Sequence, residues 1–211
     1  MWLRTFLNWA YNRGYLDTNP ITRLKPPPLS RPRERVLSDE EIVKVWHASY
    51  SATPPQYGAL VRLLMLSLQR KGQWEQFRPE FIHLDKIIFP SGVMKGAREH
   101  TIPLTPLIKQ TIGNHTFKGW NAGYAKQKLD KLSGVRDFTL HDLRRTGSTK
   151  LAELGIAPHV IERILAHQTG TISGVAAVYN RFHFLPEMKT AFQELEKSLH
   201  ALVSTTEGMN G

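Results

Sequence analysis

Read for the spacing of its apolar positions, the chain falls into helical stretches toward both ends, with a short run of strands between them. Trp2, Phe6, Trp9 and Ala10 recur at helical spacing and predict an amphipathic helix over residues 2–13, stopped by Gly14 and followed by an Asn19-Pro20 turn. Pro26-Pro27-Pro28 and Pro32 then predict a stiff, extended connector. Ser38-Asp-Glu-Glu41 forms a capping box, in which the hydroxyl accepts from a first-turn amide while Glu41 reaches back. A helix should open there and run to about His47, and Pro54-Pro55 should precede another over residues 56–68, ending near Arg70 and Gly72. Residues 82–89, 93–95 and 100–104, with a Gly96-Ala97-Arg98 turn, read as a small antiparallel sheet. From Thr105 the pattern is helical again, with Gly155 and Pro158 separating two helices. A final helix over residues 186–203 carries Met188, Ala191, Phe192, Leu195, Leu199 and Leu202 on one apolar stripe. The expected fold class is α+β, mainly α-helical with one three-stranded antiparallel sheet.

Charge changes the picture of what such a fold would meet. There are 28 Lys and Arg against 18 Asp and Glu over 211 residues, a net charge of +10 that favours polyanionic partners. Residues 1–36 hold seven basic side chains (Arg4, Arg13, Arg23, Lys25, Arg31, Arg33 and Arg35) and two acidic ones, Asp17 and Glu34. Half the net charge therefore sits where a linker could follow a DNA backbone. The absence of cysteine excludes disulfides, thiolate metal sites and cysteine nucleophiles. The opening residues lack the apolar core of a signal peptide, and the best apolar run, residues 60–68, contains Arg62 and falls short of the ~18 residues of a membrane span. These features predict a soluble, cytoplasmic protein.

The most informative stretch is Thr139-Leu-His141-Asp142-Leu-Arg144-Arg145. Thr139 and Asp142 make a second capping box, so His141 and Arg144 fall on the first turn of a helix, three residues apart on a shared face. A His and an Arg presented at a helix N-terminus suit phosphate chemistry; alone, they also read as a capping His and a surface Arg. Four further elements accompany them in order. Leu68-Gln69-Arg70-Lys71-Gly72 closes an apolar helix, and Met94-Lys95 through His100-Thr-Ile-Pro103-Leu forms a hairpin. Leu165-Ala166-His167 follows, then Val178-Tyr179-Asn180-Arg181.

In this order and spacing, the set resembles the active-site pattern of the tyrosine recombinases of the phage-integrase type, from about Val36 to Leu202. The resemblance implies DNA strand cleavage and rejoining for site-specific recombination, as in prophage integration or excision, without metal or other cofactor. It implies Tyr179 as the nucleophile that forms a 3′-phosphotyrosyl bond, and Arg70 and Arg144 as clamps on the scissile phosphate. Lys95 would protonate the 5′-oxygen, with Lys86 and Arg98 as neighbouring competitors for that role. His141 would accept the tyrosine proton and His167 would donate to the phosphate. Arg31, Arg33, Arg35, Arg98 and Arg145 are the DNA-backbone candidates. Double-stranded DNA, a homotetramer on DNA, accessory DNA-bending proteins and a bacterial nucleoid setting follow as expected partners and place.

The same resemblance divides the chain into residues 1–29, a remnant of a truncated core-binding domain; 30–35, a basic Pro-rich linker; 36–203, the catalytic domain; and 204–211, a disordered tail. Two positions depart from the pattern. Gln73 stands where the family usually carries an acid, and Leu68 where a small Gly is common. On charge alone, Gln73→Glu should raise cleavage. A type IB topoisomerase shares the chemistry. A catalytically inactive DNA-binding remnant is the alternative in another class, or a helix-turn-helix module built on residues 151–164 with Gly155 in the turn. A metal site of His141, Asp142, His167 and His183 lacks a suitable ligand pair.

Overall fold

A computed structural model describes residues 2–25, 33–166 and 184–207. His167, Tyr179 and His183, and Arg31 of the connector, lie outside the described residues. The chain divides into two compact units, Met1–Arg33 and Glu34–Gly211, and the break falls inside the segment read as a linker. In the first unit, α1 (Trp2–Asn12) forms as its apolar spacing predicts. Phe6 stacks on Trp9 and Trp9 on Tyr15, with ring centroids 6.1 and 5.5 Å apart, and Asn19 Nδ2 donates to Asn8 Oδ1 at 2.7 Å.

The second unit is built around α3 (Pro55–Ser67), whose apolar residues are buried on nearly every side. Helix α2 (Asp39–Tyr50) begins at the expected box: Glu41 N donates to Ser38 Oγ at 3.3 Å and Ser38 N to Glu41 Oε2 at 2.9 Å. It packs tightly on α3. A Cβ on Gly58 would lie 1.8 Å from the Ser49 carbonyl oxygen, so only glycine permits that approach. Helices α5 (Pro106–Ile112), α6 (Ala122–Ser133), α7 (Leu140–Glu153) and α8 (Pro158–Ile164) complete the middle of the unit, and α9 (Leu185–Glu207) closes it. Met188, Ala191, Phe192, Leu195 and Leu199 of α9 enter the core, as their stripe predicts. The helix continues to Glu207, into the segment read as a tail, and Thr205 Oγ1 donates back to the Ala201 carbonyl. Among the described residues, no helix is long and apolar enough to cross a membrane.

The sheet has three antiparallel strands in the order β1-β2-β3, but not the three read from the pattern. Residues 82–89 divide at Leu84 and Asp85 into β1 (Ile82–His83) and β2 (Lys86–Phe89), which pair as a tight hairpin. Leu84 takes φ 56°, a left-handed conformation that a leucine does not advertise in a sequence. Strand β3 (His100–Pro103) pairs with β2, Ile87 opposite Ile102 and Phe89 opposite His100. Val93–Met94–Lys95 is not a strand. Its amides serve local turns, Val93 N to Pro90 O at 2.9 Å and Met94 N to Ser91 O at 3.2 Å, leaving Lys95 exposed on the loop between β2 and β3. A short helix absent from the pattern, α4 (Lys71–Glu75), follows α3 after a break at Leu68.

Candidate active site

The site is assembled at the end of α3 and the start of α7. Asp142 N donates to Thr139 Oγ1 at 3.3 Å, and Thr139 N donates to Asp142 Oδ2 at 2.8 Å, so the predicted box opens α7. Asp142 is buried, and its second oxygen receives Arg145 Nη1 at 2.7 Å. On this first turn, His141 and Arg144 lie at different depths. His141 is exposed, whereas Arg144 is only 4% accessible.

Arg144 is held by the main chain. One terminal nitrogen of its fork donates to the Leu68 carbonyl and the other to the Leu165 carbonyl. Leu68 caps α3 in the left-handed conformation at φ 57°, with its amide bonded to Leu64 O at 3.2 Å. Its side chain fills space beside Gly147 of α7, where a Cβ would come within 2.9 Å of Leu68 Cγ. Glycine at 147 thus lets α7 approach closely enough for Arg144 to reach the carbonyl. A guanidinium carries five N–H donors, so the two spent on carbonyls leave the rest of the fork for an anion.

The electrostatics join Arg70 and His141 to Arg144. Burial, then the charge of Arg70, lowers the Arg144 pKa to about 9, against an opposing pull from Glu162, and the group stays cationic at neutral pH. His141 is held below the ordinary imidazole value first by desolvation, then by Arg144, Arg145 and Arg70, with Asp142 opposing. The shift keeps the imidazole neutral at neutral pH, with a ring nitrogen open to a donor. The structure therefore brings together Arg70, His141 and Arg144. Lys95 and Arg98 sit exposed on the β2–β3 loop. Arg33 is exposed, whereas Arg35 is engaged internally, donating to Asp137 O at 3.0 Å, to Val36 O at 2.7 Å and to Glu41.

Gln73 replaces charge with a continuous ladder of amides. Its Oε1 accepts from Arg70 N at 2.9 Å, and its Nε2 donates to Gln69 Oε1 at 3.1 Å. Gln69 Nε2 in turn donates to Ser67 O at 2.7 Å and to Ile164 O at 2.9 Å. Both glutamines are buried. A carboxylate at 73 would set oxygen against the Gln69 oxygen, which cannot turn without losing its two carbonyl partners. The gain in cleavage expected from charge thus meets an interior cost. Gln73→Glu should lower stability by about 1–3 kcal/mol, read as a lower urea midpoint; an unchanged midpoint would contradict the ladder.

The motif singles out neither Gln69 nor His100, both of which are buried polar residues. The available signals were a polar residue directly after the apolar run 60–68 and a histidine at an inward strand position, in step with Ile102. Among the described residues, no three His, Cys, Asp or Glu side chains converge to hold a metal ion.

No family model matches the chain. It is 26% identical over 182 residues to the prophage integrase IntZ of Escherichia coli strain K12, covering 78% of this chain and 44% of that protein. It is 25% identical to a XerC-like tyrosine recombinase of Caldanaerobacter subterraneus subsp. tengcongensis, covering 89% of this chain and 62% of that protein. The chain thus spans roughly half to three-fifths of these curated relatives. Its fold matches the crystal structure of a lambda integrase dimer bound to a COC′ core site with a TM-score of 0.59, at 18% identity over 82% of this chain and 71% of that one.

Proposed function

We propose, from the premise that this chain is a relative of the tyrosine recombinases and has their fold, that it cleaves and rejoins DNA strands in site-specific recombination. The observation that carries the reading is the buried Arg144, forked between the Leu68 and Leu165 carbonyls with the Arg70 charge beside it and a neutral His141 at the rim. Two fixed guanidiniums are suited to the charge that gathers on the non-bridging oxygens of a phosphodiester as it is attacked.

In the proposed step, Tyr179 Oη attacks phosphorus and the bond to the 5′-oxygen breaks. The phenolic proton passes to His141, and Lys95 supplies a proton to the departing oxygen. His167 donates a hydrogen bond to the phosphate. The 3′-phosphotyrosyl ester retains the bond energy, so another 5′-hydroxyl can reseal the strand. The substrate is double-stranded DNA, the working assembly a tetramer on it with accessory DNA-bending proteins, and the biological setting prophage integration or excision in the bacterial nucleoid. Replacement of the usual acid by Gln73 weakens the step without removing any group that makes or breaks a bond. The helix pair α7–α8 that could pass for helix-turn-helix contributes Leu151, Val160, Ile161 and Ile164 to the core.

A nicked duplex that loses its 5′-hydroxyl fragment on cleavage tests the proposal. The chain should form a covalent adduct stable to denaturant, absent in Tyr179→Phe. DNA binding without adduct would instead support a non-catalytic module.

A further inference from the structure

The Ile164 carbonyl, at the end of α8, receives donors from two buried side chains in distant parts of the chain. Gln69 Nε2 reaches it at 2.9 Å from the α3–α4 junction, and His100 Nε2 at 3.2 Å from β3. Gln69 is 0% and His100 8% accessible. Burying an amide and an imidazole is costly unless each is hydrogen-bonded, and here they meet at one main-chain oxygen with two lone pairs. The next residue, Leu165, gives its carbonyl to Arg144. Ala166 then turns through φ 49°, and His167 follows in sequence. Consecutive carbonyls are therefore held by donors from different elements, Ile164 by Gln69 and His100, and Leu165 by Arg144. Because Gln69 also accepts from Gln73, the same chain of bonds runs back to the Arg70 amide.

His100 suits this task as a neutral donor. Burial lowers its pKa to about 4, and the charges of Arg144, Arg163 and Arg70 push the same way against the bond to Ile164. At neutral pH its single N–H is placed on Nε2 by the carbonyl it faces, and it adds no third cation beside Arg70 and Arg144.

We propose that Gln69 and His100 are positioning residues of the active site, anchoring the Ile164–Leu165 backbone so that Arg144 is held for phosphate attack. This rests on the DNA-cleavage reading given above. Neither residue transfers a proton or touches the reacting atoms.

The test uses the full chain with His100→Phe, which keeps a ring without a donor, His100→Gln, which restores an N–H at similar reach, and Gln69→Leu. Solvent exchange of the Arg144 guanidinium protons, followed by NMR, should accelerate about fivefold or more in His100→Phe and in Gln69→Leu. Single-turnover adduct formation on saturating nicked duplex should fall about tenfold in both. DNA affinity should stay within about twofold of the parent, and His100→Gln should recover both rates. Unchanged Arg144 exchange in the two donor-less variants would overturn the proposal, as would failure of His100→Gln to restore it. Faster exchange in the variants of a parent that forms no adduct would support the anchor and overturn the cleavage reading.

Discussion

Arg144→Ala is expected to abolish detectable adduct formation and to weaken the fold at the same time. The side chain is almost wholly buried, and its two carbonyl partners belong to residues far apart in sequence, Leu68 and Leu165. Alanine would leave both carbonyls in the interior without this donor, at about 1–3 kcal/mol for each one stranded. The chemical loss adds to this, because removing one preorganised donor from a developing oxyanion costs about 10²–10³ in rate. Arg144→Lys separates the two effects. An ammonium keeps the charge and can satisfy a carbonyl, but it cannot reproduce a planar fork that spans two carbonyls and still faces an anion. Lysine should therefore recover part of the urea midpoint while cleavage stays lost. Cleavage by Arg144→Lys at the parental rate would show that the fork is not required.

The largest purely structural effect is expected at Trp74. Its indole is fully buried on α4, with Phe77, Phe89 and Phe117 at ring-centroid distances of 5.4, 5.6 and 5.8 Å. Its Nε1 donates to Ser67 Oγ at 3.2 Å, tying α4 to the last turn of α3. Trp74→Ala should cost about 3–5 kcal/mol, through lost transfer energy and the cavity left among those rings. Trp74→Phe should lose less, because a ring still fills most of the space and Ser67 Oγ keeps its bond to the Leu63 carbonyl at 2.6 Å. Arg70 stands immediately before α4, so loosening this aromatic anchor should also reduce cleavage by the molecules that remain folded. Chemical unfolding followed by circular dichroism checks the stability change. A loss of under about 1 kcal/mol would mean that the cavity collapses without cost.

Much of this architecture can be read from local chemistry. The two capping boxes at Ser38 and Thr139 place α2 and α7, and the stripe from Met188 to Leu199 places α9, because each uses only neighbours along the chain. What escapes the pattern depends on distant partners or unusual backbone. Helix α4 is five residues long, and the amide of Arg70 just before it donates to the Gln73 side chain. Leu84 and Leu68 turn the chain in a conformation that a sequence reader assigns to glycine, and Leu68 is accommodated by the space beside Gly147. Residues 93–95 have strand-like composition, but the turns on either side take up their hydrogen bonds. In the site, the motif names Arg70, His141 and Arg144 as candidates, whereas the burial of Arg144 and its grip on two carbonyls depend on packing that the motif does not show. Their spacing puts His141 and Arg144 on one side of a helix; only the packing of α7 against α3 sinks one and exposes the other.

The central claim, that the Arg70–His141–Arg144 cluster serves attack by Tyr179 on DNA, is tested most directly by mapping the covalent adduct. The protein trapped on a nicked duplex is digested with protease and nuclease, and the modified peptide is identified by mass spectrometry. The account predicts a nucleotide remnant joined through phosphate to Tyr179, with no modified peptide recovered from Tyr179→Phe. A remnant on Tyr124 or any other residue, or bound DNA with no covalent peptide at all, would contradict it.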